Sequence, residues 1–132
     1  MSDKSPMDGE EMEKVRQKYR DMIGAVPPSV EARLQTAGKL DPEGLRLAEA
    51  MRSHALYPAA IDNKTVQLIA FAMMLAKGVE GGAMAHARAA LRAGASMEEL
   101  QAVVTLASFY CGITAMNMGG VVLKGVEEKQ GK

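Results

Sequence analysis

What this chain lacks narrows it before anything it contains. A single cysteine, Cys111, leaves no partner for an internal disulfide and no Cys-x-x-Cys redox pair. Tryptophan is absent and aromatic residues make up 4% of the chain, so large rings do not fill its core. Eleven methionines and many alanines take that role, and flexible or small side chains suit closely packed helices better than a sheet. Neither sign of charge prevails, with 16 basic residues against 16 acidic ones, so no net field draws the chain to nucleic acid or to an anionic membrane. The longest apolar run, Leu68 to Ala76, is far short of the roughly 20 residues that cross a bilayer. With a charged N-terminus where a secretory signal would be apolar, the expectation is a soluble, cytoplasmic protein.

Two further absences concern chemistry. The only histidines, His54 and His86, stand far apart with no cysteine or carboxylate cluster beside them, so no metal-ligand spacing is present. Glycines between 78 and 82 are not followed by Gly-Lys-Ser, so a phosphate loop is unsupported as well.

What is present reads as all-α. At 132 residues one domain is the simplest organisation, taken here as 10–128 behind a polar, frayed segment 1–9. Apolar residues at Met12, Val15, Tyr19, Met22 and Ile23 trace one stripe of a helix over Glu10 to Ile23, ended by Gly24 and Pro27-Pro28. A short helix from Ser29 to Ala37 is expected to stop at Gly38, with Val30 and Leu34 inward. Asp41-Pro42 supplies a cap and a first-turn proline for a helix to about His54. After a connector, Asn63 to Lys77 is apolar almost all round, the pattern of a central or interfacial helix. Gly81-Gly82 is expected to turn the chain into a helix from Ala83 to Ala93, with Gly94 just past its end. Ser96 and Glu99 form a capping box for Met97 to Tyr110, whose stripe is Leu100, Val103, Val104 and Ala107. The last helix, Thr114 to Glu127, should bury Met116, Val121 and Leu123, with Gly119-Gly120 marking a close contact or a bend. No strand alternation and no solenoid repeat interrupt this pattern.

His86 is the first candidate for chemistry, because imidazole exchanges a proton near neutral pH without special tuning. The alternative is a histidine that bonds a backbone carbonyl and fixes a turn. Glu80 could orient that ring or be a solvated loop acid. Gln67 sits on the apolar helix, where a buried amide needs partners and an edge position would not. His54 and Tyr57 flank the connector and are weaker ligand candidates. Cys111 lies in an apolar context with no cation nearby to stabilise a thiolate, so an inert core thiol is expected. Asn117 could cap, bridge helices or bind.

Three runs share one resemblance: Asp62-Asn-Lys-Thr-Val-Gln-Leu-Ile-Ala70, Gly78-Val-Glu-Gly-Gly-Ala-Met-Ala-His86 with its continuation to Leu100, and Tyr110-Cys-Gly-Ile-Thr-Ala-Met-Asn117. They resemble the carboxymuconolactone decarboxylase family, which includes the AhpD-like alkylhydroperoxidases, over about residues 62–123. Val26-Pro-Pro28 and His54-Ala-Leu-Tyr-Pro58 are similar to the family too. The resemblance implies an AhpD-like bundle of six to seven helices. It further implies assembly into a homo-trimer or homo-hexamer, with the site near a subunit boundary.

Its peroxidase branch carries Cys-x-x-Cys-x-x-x-His with an upstream relay acid. Counted back from His86, the two cysteine positions hold Val79 and Gly82, the histidine sometimes found between them is Gly81, and the relay acid is Gln67. A thiol peroxidase needs a thiolate to attack peroxide and a second thiol to resolve the sulfenic acid, and neither position supplies one. The decarboxylase branch needs no cysteine and no cofactor. By that resemblance the substrate is a small carboxylated, lactone-like molecule and His86 is the proton donor or acceptor, with Gln67 to hold a carbonyl oxygen and Glu80 to orient the ring. Arg33 and Arg88, fixed by no motif, are candidates to pair with the carboxylate, and Asn117 is a further candidate substrate-binding residue. Decarboxylases of the family often carry bulkier, more polar residues at the positions of Gly81 and Gly82, which implies a different substrate here. A non-catalytic binding or assembly protein on the same scaffold is the alternative, and a residual AhpD-like peroxidase that uses Cys111 with an external resolving thiol is the third reading.

Overall fold

Local capping chemistry sets where this chain turns. A computed structural model describes residues 3–130, and among them it contains seven helices and no strand. They are α1 (Gly9–Ile23), α2 (Pro28–Leu40), α3 (Pro42–Leu56), α4 (Asn63–Lys77), α5 (Glu80–Arg92), α6 (Met97–Cys111) and α7 (Ile113–Gln130). Two compact units result, Met1–Pro58 with α1 to α3 and Ala59–Lys132 with α4 to α7. No helix among the described residues is long and apolar enough to cross a membrane.

In the first unit the Asp8 carboxylate caps α1 by accepting from the Glu11 amide, and Gly24 ends it at φ 83°, a backbone conformation other residues rarely adopt. Asp41 caps α3 in the same way, accepting from the Gly44 amide, with Pro42 behind it. Val15, Tyr19, Val30, Leu34 and Leu45 make the core, joined by Met7, whose N–H donates to the Gly38 carbonyl at 3.2 Å. Gly38 does not stop α2. The helix runs on to Leu40, with Gly38 buried inside it at an ordinary helical φ, where even a Cβ would make only normal contact with Met12, Met7 and Leu45.

The second unit holds the candidate site. Gly78, at φ 74°, closes α4 with a paired motif in which the Gly78 and Val79 amides donate to the Leu75 and Met74 carbonyls. Gly94 and Ala95 repeat it on Leu91 and Ala90 at the end of α5. Since Gly78 completes the turn alone, α5 starts at Glu80, and Gly81 and Gly82 lie inside its first turn rather than forming the expected loop. The capping box of α6 is present, with the Ser96 hydroxyl and the Glu99 carboxylate each bonded to the other residue's amide. Lys64, 3.0 Å away, and the Ser96 amide together hold the Glu99 carboxyl below its ordinary pKa.

Phe71, Leu75, Leu100, Val104, Val122 and Val126 form the core of this unit, with Ala83, Ala87 and Ala90 lining α5. Each large side chain here contributes about 1.5–3 kcal/mol by leaving water. On α7 Leu123 is buried as expected, but Val122 is buried in place of Val121, which is exposed, and Met116 is outward. Gly119 packs closely on α6, because a Cβ there would lie 2.5 and 2.6 Å from the two methyl carbons of Val104. The glycine pair therefore marks a close contact at Gly119, while Gly120 faces open space.

Candidate active site

Gln67 occupies a core position of α4, four and eight residues before Phe71 and Leu75 and in the same row. It is 0% exposed, among the largest fully buried side chains of the chain. Opposite it, α5 presents Ala83, Ala87 and Ala90, whose small side chains let the two helices approach. His86 stands at the edge of that alanine row, half-buried, and its Nδ1 lies 2.8 Å from Gln67 Oε1. The Gln67 Nε2 group is buried with no hydrogen-bond partner. Leaving such a donor unsatisfied costs about 1–3 kcal/mol, so an apolar residue at this core position would be the more stable choice. That cost sets Gln67 apart from a residue present for packing alone.

The structure places the other candidates differently. Glu80 is exposed at the start of α5, about 240° around the helix from His86, and Arg88 is about 200° around it. Asn117 is exposed on α7. Arg33 belongs to the first unit, where its guanidinium donates to the buried Glu49 carboxylate and to the Tyr19 hydroxyl at 2.6 Å. Arg52 stacks on the same Tyr19 ring, 3.8 Å from its centroid. A carboxylate within its own unit thus already holds Arg33. His54 is exposed, and Tyr57 caps the end of α3 with its side chain outward.

Cys111 is exposed, contrary to the expected core thiol. It falls in register with Leu100, Val104 and Ala107, but it is the last residue of α6, where the helix ends at Gly112 and nothing covers it. Val79 is also exposed, and a Cβ at Gly82 would meet the Met74 thioether at 2.6 Å, so Met74 fills the space at the second cysteine position of the peroxidase motif. No group of three or more metal-ligating side chains occurs among the described residues. An open cleft of about 440 Å³ between α6 and α7 is lined by Met97, Glu98, Gln101, Leu123, Lys124 and Glu127 and includes neither His86 nor Gln67.

Taken residue by residue Gln67 and His86 are separate candidates, and only the resemblance puts Gln67 at the relay position counted back from His86. The hydrogen bond between them, 19 residues apart on different helices, is what the structure adds. The available signal was an amide in register with two core residues.

The family model for carboxymuconolactone decarboxylases matches residues 42–119, a span that includes both residues. A crystal structure of a candidate carboxymuconolactone decarboxylase from Burkholderia xenovorans LB400 aligns with a TM-score of 0.73 over 91% of this chain and 93% of that one. Sequence identity between the two is 21%, so the likeness is one of fold. A search of curated proteins returned no match.

Proposed function

We propose that this chain, which belongs to the carboxymuconolactone decarboxylase family, is a cofactor-free, cytoplasmic lyase that removes CO2 from a small carboxylated, lactone-like substrate. The observation that carries this reading is the half-buried His86 held by the buried amide of Gln67. In such a reaction the bond from carbon to the carboxylate breaks, and its electron pair moves into the conjugated lactone carbonyl system. His86 then delivers a proton to the carbon from which the double bond has shifted, leaving CO2 and the relocated alkene. A site with few competing waters favours loss of the carboxylate charge, and the half-buried His86 lies beside the buried Ala83, Ala87 and Ala90 of α5.

Assembly of several copies is part of the reading. Leu106, Phe109, Tyr110 and Ile113 are 62%, 81%, 79% and 67% exposed, a run of large apolar groups typical of surfaces that pair. In this reading Arg88, on the far side of α5 from His86, and the outward Asn117 serve the substrate of a neighbouring copy. Glu80 likewise acts only where a neighbouring copy brings it near substrate. A trimer or hexamer with sites at its boundaries meets that condition.

The test is turnover of carboxymuconolactone and related lactone carboxylates, followed by CO2 release and loss of conjugated absorbance. His86→Gln should lower kcat/KM by about 10²- to 10⁴-fold, the usual contribution of a positioned acid or base. Unchanged turnover in that variant removes His86 from the chemistry. Binding without turnover by the parent favours the scaffold reading, which the separation of Glu80 from His86 around α5 supports.

A further inference from the structure

We infer that Gln67 is a positioning residue that locks His86 in the Nδ1–H form and so makes Nε2 the atom that takes up and returns the proton. The inference rests on the reading of His86 as the proton-transfer group and adds which nitrogen does the work and what selects it.

An amide oxygen only accepts hydrogen bonds, so the imidazole nitrogen 2.8 Å from Gln67 Oε1 must carry a hydrogen. A neutral imidazole has one ring N–H, so the lone pair is then on Nε2. Without such a partner, histidine in water favours the other tautomer, and the lock therefore has to be imposed by the fold. The fold can impose it because Gln67 is wholly buried in the row of Phe71 and Leu75, where water does not compete for its amide. On the facing helix, Ala83, Ala87 and Ala90 keep the backbones close enough for the amide to reach the ring.

The choice of an amide has its own consequence. A carboxylate at position 67 would accept from Nδ1 equally well, but its charge would hold a second proton on the ring and raise the imidazole pKa. Gln67 orients the ring without adding that charge. Second groups that orient a catalytic histidine by its remote nitrogen act in this way elsewhere. The orphaned Gln67 Nε2 is consistent with a residue kept for its oxygen alone.

Long-range ¹H–¹⁵N correlation spectra of the uniformly ¹⁵N-labelled full chain test this without any substrate, with the exposed His54 as the internal reference for an unconstrained ring. Above the pH at which both rings are neutral, His86 should show a protonated Nδ1 and a bare Nε2, whereas His54 shows the ordinary mixture. Gln67→Met keeps the volume and removes the acceptor, so His86 should shift toward the Nε2–H form. Turnover by that variant should fall by at least about tenfold in kcat, with KM much less changed. Gln67→Glu should keep Nδ1–H and raise the pH at which the second proton binds.

An Nε2–H ring in the parent overturns the inference even if no variant folds. An unchanged tautomer in folded Gln67→Met overturns it as well. Because the spectra need no turnover, the two readings separate. An Nδ1–H ring in a parent without lyase activity keeps the lock and removes the lyase, and an active parent with an Nε2–H ring does the reverse.

Discussion

Adjacent glycines on α7 should respond to the same substitution with opposite signs. Neither Gly119 nor Gly120 has a positive φ, so alanine suits the backbone at both. Replacing a helical glycine by alanine gains about 0.8–1 kcal/mol, chiefly by reducing the freedom of the unfolded chain. Gly120 faces open space, and Gly120→Ala should show that gain in full. At Gly119 the new methyl would meet both Val104 methyl carbons, at 2.5 and 2.6 Å, where ordinary contact begins near 3.4 Å. Val104 is 0% exposed and β-branched, so it cannot swing aside, and overpacking of this kind costs about 1–3 kcal/mol. The backbone term is common to the two variants. Their difference, about 1–3 kcal/mol in favour of Gly120→Ala, therefore isolates the clash with Val104. Urea unfolding at matched protomer concentration measures it from the shift in midpoint at constant slope. Combining Gly119→Ala with Val104→Ala should recover part of the loss, since the second change removes the two methyls the first one strikes. Two single variants of equal stability, or a more stable Gly119→Ala, would refute the packing assigned to the α6–α7 crossing.

Other expectations concern charge and capping. Arg16 donates two hydrogen bonds of 2.8 Å to Glu31, and with help from Gln35 it holds the Glu31 carboxyl down to about 2 from an ordinary 4.5. The folded value lies below the unfolded one, so this stabilisation is present above about pH 4.5 and is lost as pH falls toward 2. Glu31→Gln should flatten that part of the acid unfolding profile, and a profile as steep as the parent's would show that other carboxylates set it. Ser96→Ala removes the acceptor of the Glu99 amide and should cost about 1 kcal/mol, while Ser96→Asp keeps most of it. Thermal melts of the two variants decide the matter, and coincident melts would mean the box adds nothing to α6.

Helix ends were legible wherever the signal was chemical and local. Asp41 before Pro42, Ser96 with Glu99, and Gly78 and Gly94 all act within one turn, so the expected caps and stops are those observed. Glycine without a positive φ was the poor guide. Gly38 is expected to stop α2 and Gly81-Gly82 to form the turn before α5, yet all three lie inside helices at ordinary helical φ, and only at Gly82 does the missing side chain serve close packing, against Met74. On α7 Val122 rather than Val121 joins Leu123 inside, since an apolar pattern with Val121, Val122 and Leu123 in a row leaves rotation to the partner helix. Cys111 kept the register of its helix and still emerged exposed, because register says nothing about how far a neighbour extends.

The chain by itself determined its all-helical character, the helix ends marked by Asp41, Gly78, Gly94 and Ser96, and the absence of thiols at positions 79 and 82. The last of these bars two-cysteine peroxide chemistry at that motif in any fold. Tertiary structure alone decided which side chains meet. Gln67 bonds His86 across α4 and α5, Arg33 is held by Glu49, and Glu80 and Arg88 lie on other faces of α5 than His86. The reason is physical: capping and propensity act over a few residues, whereas a meeting across 19 residues depends on how side-chain volumes let two helices approach and rotate.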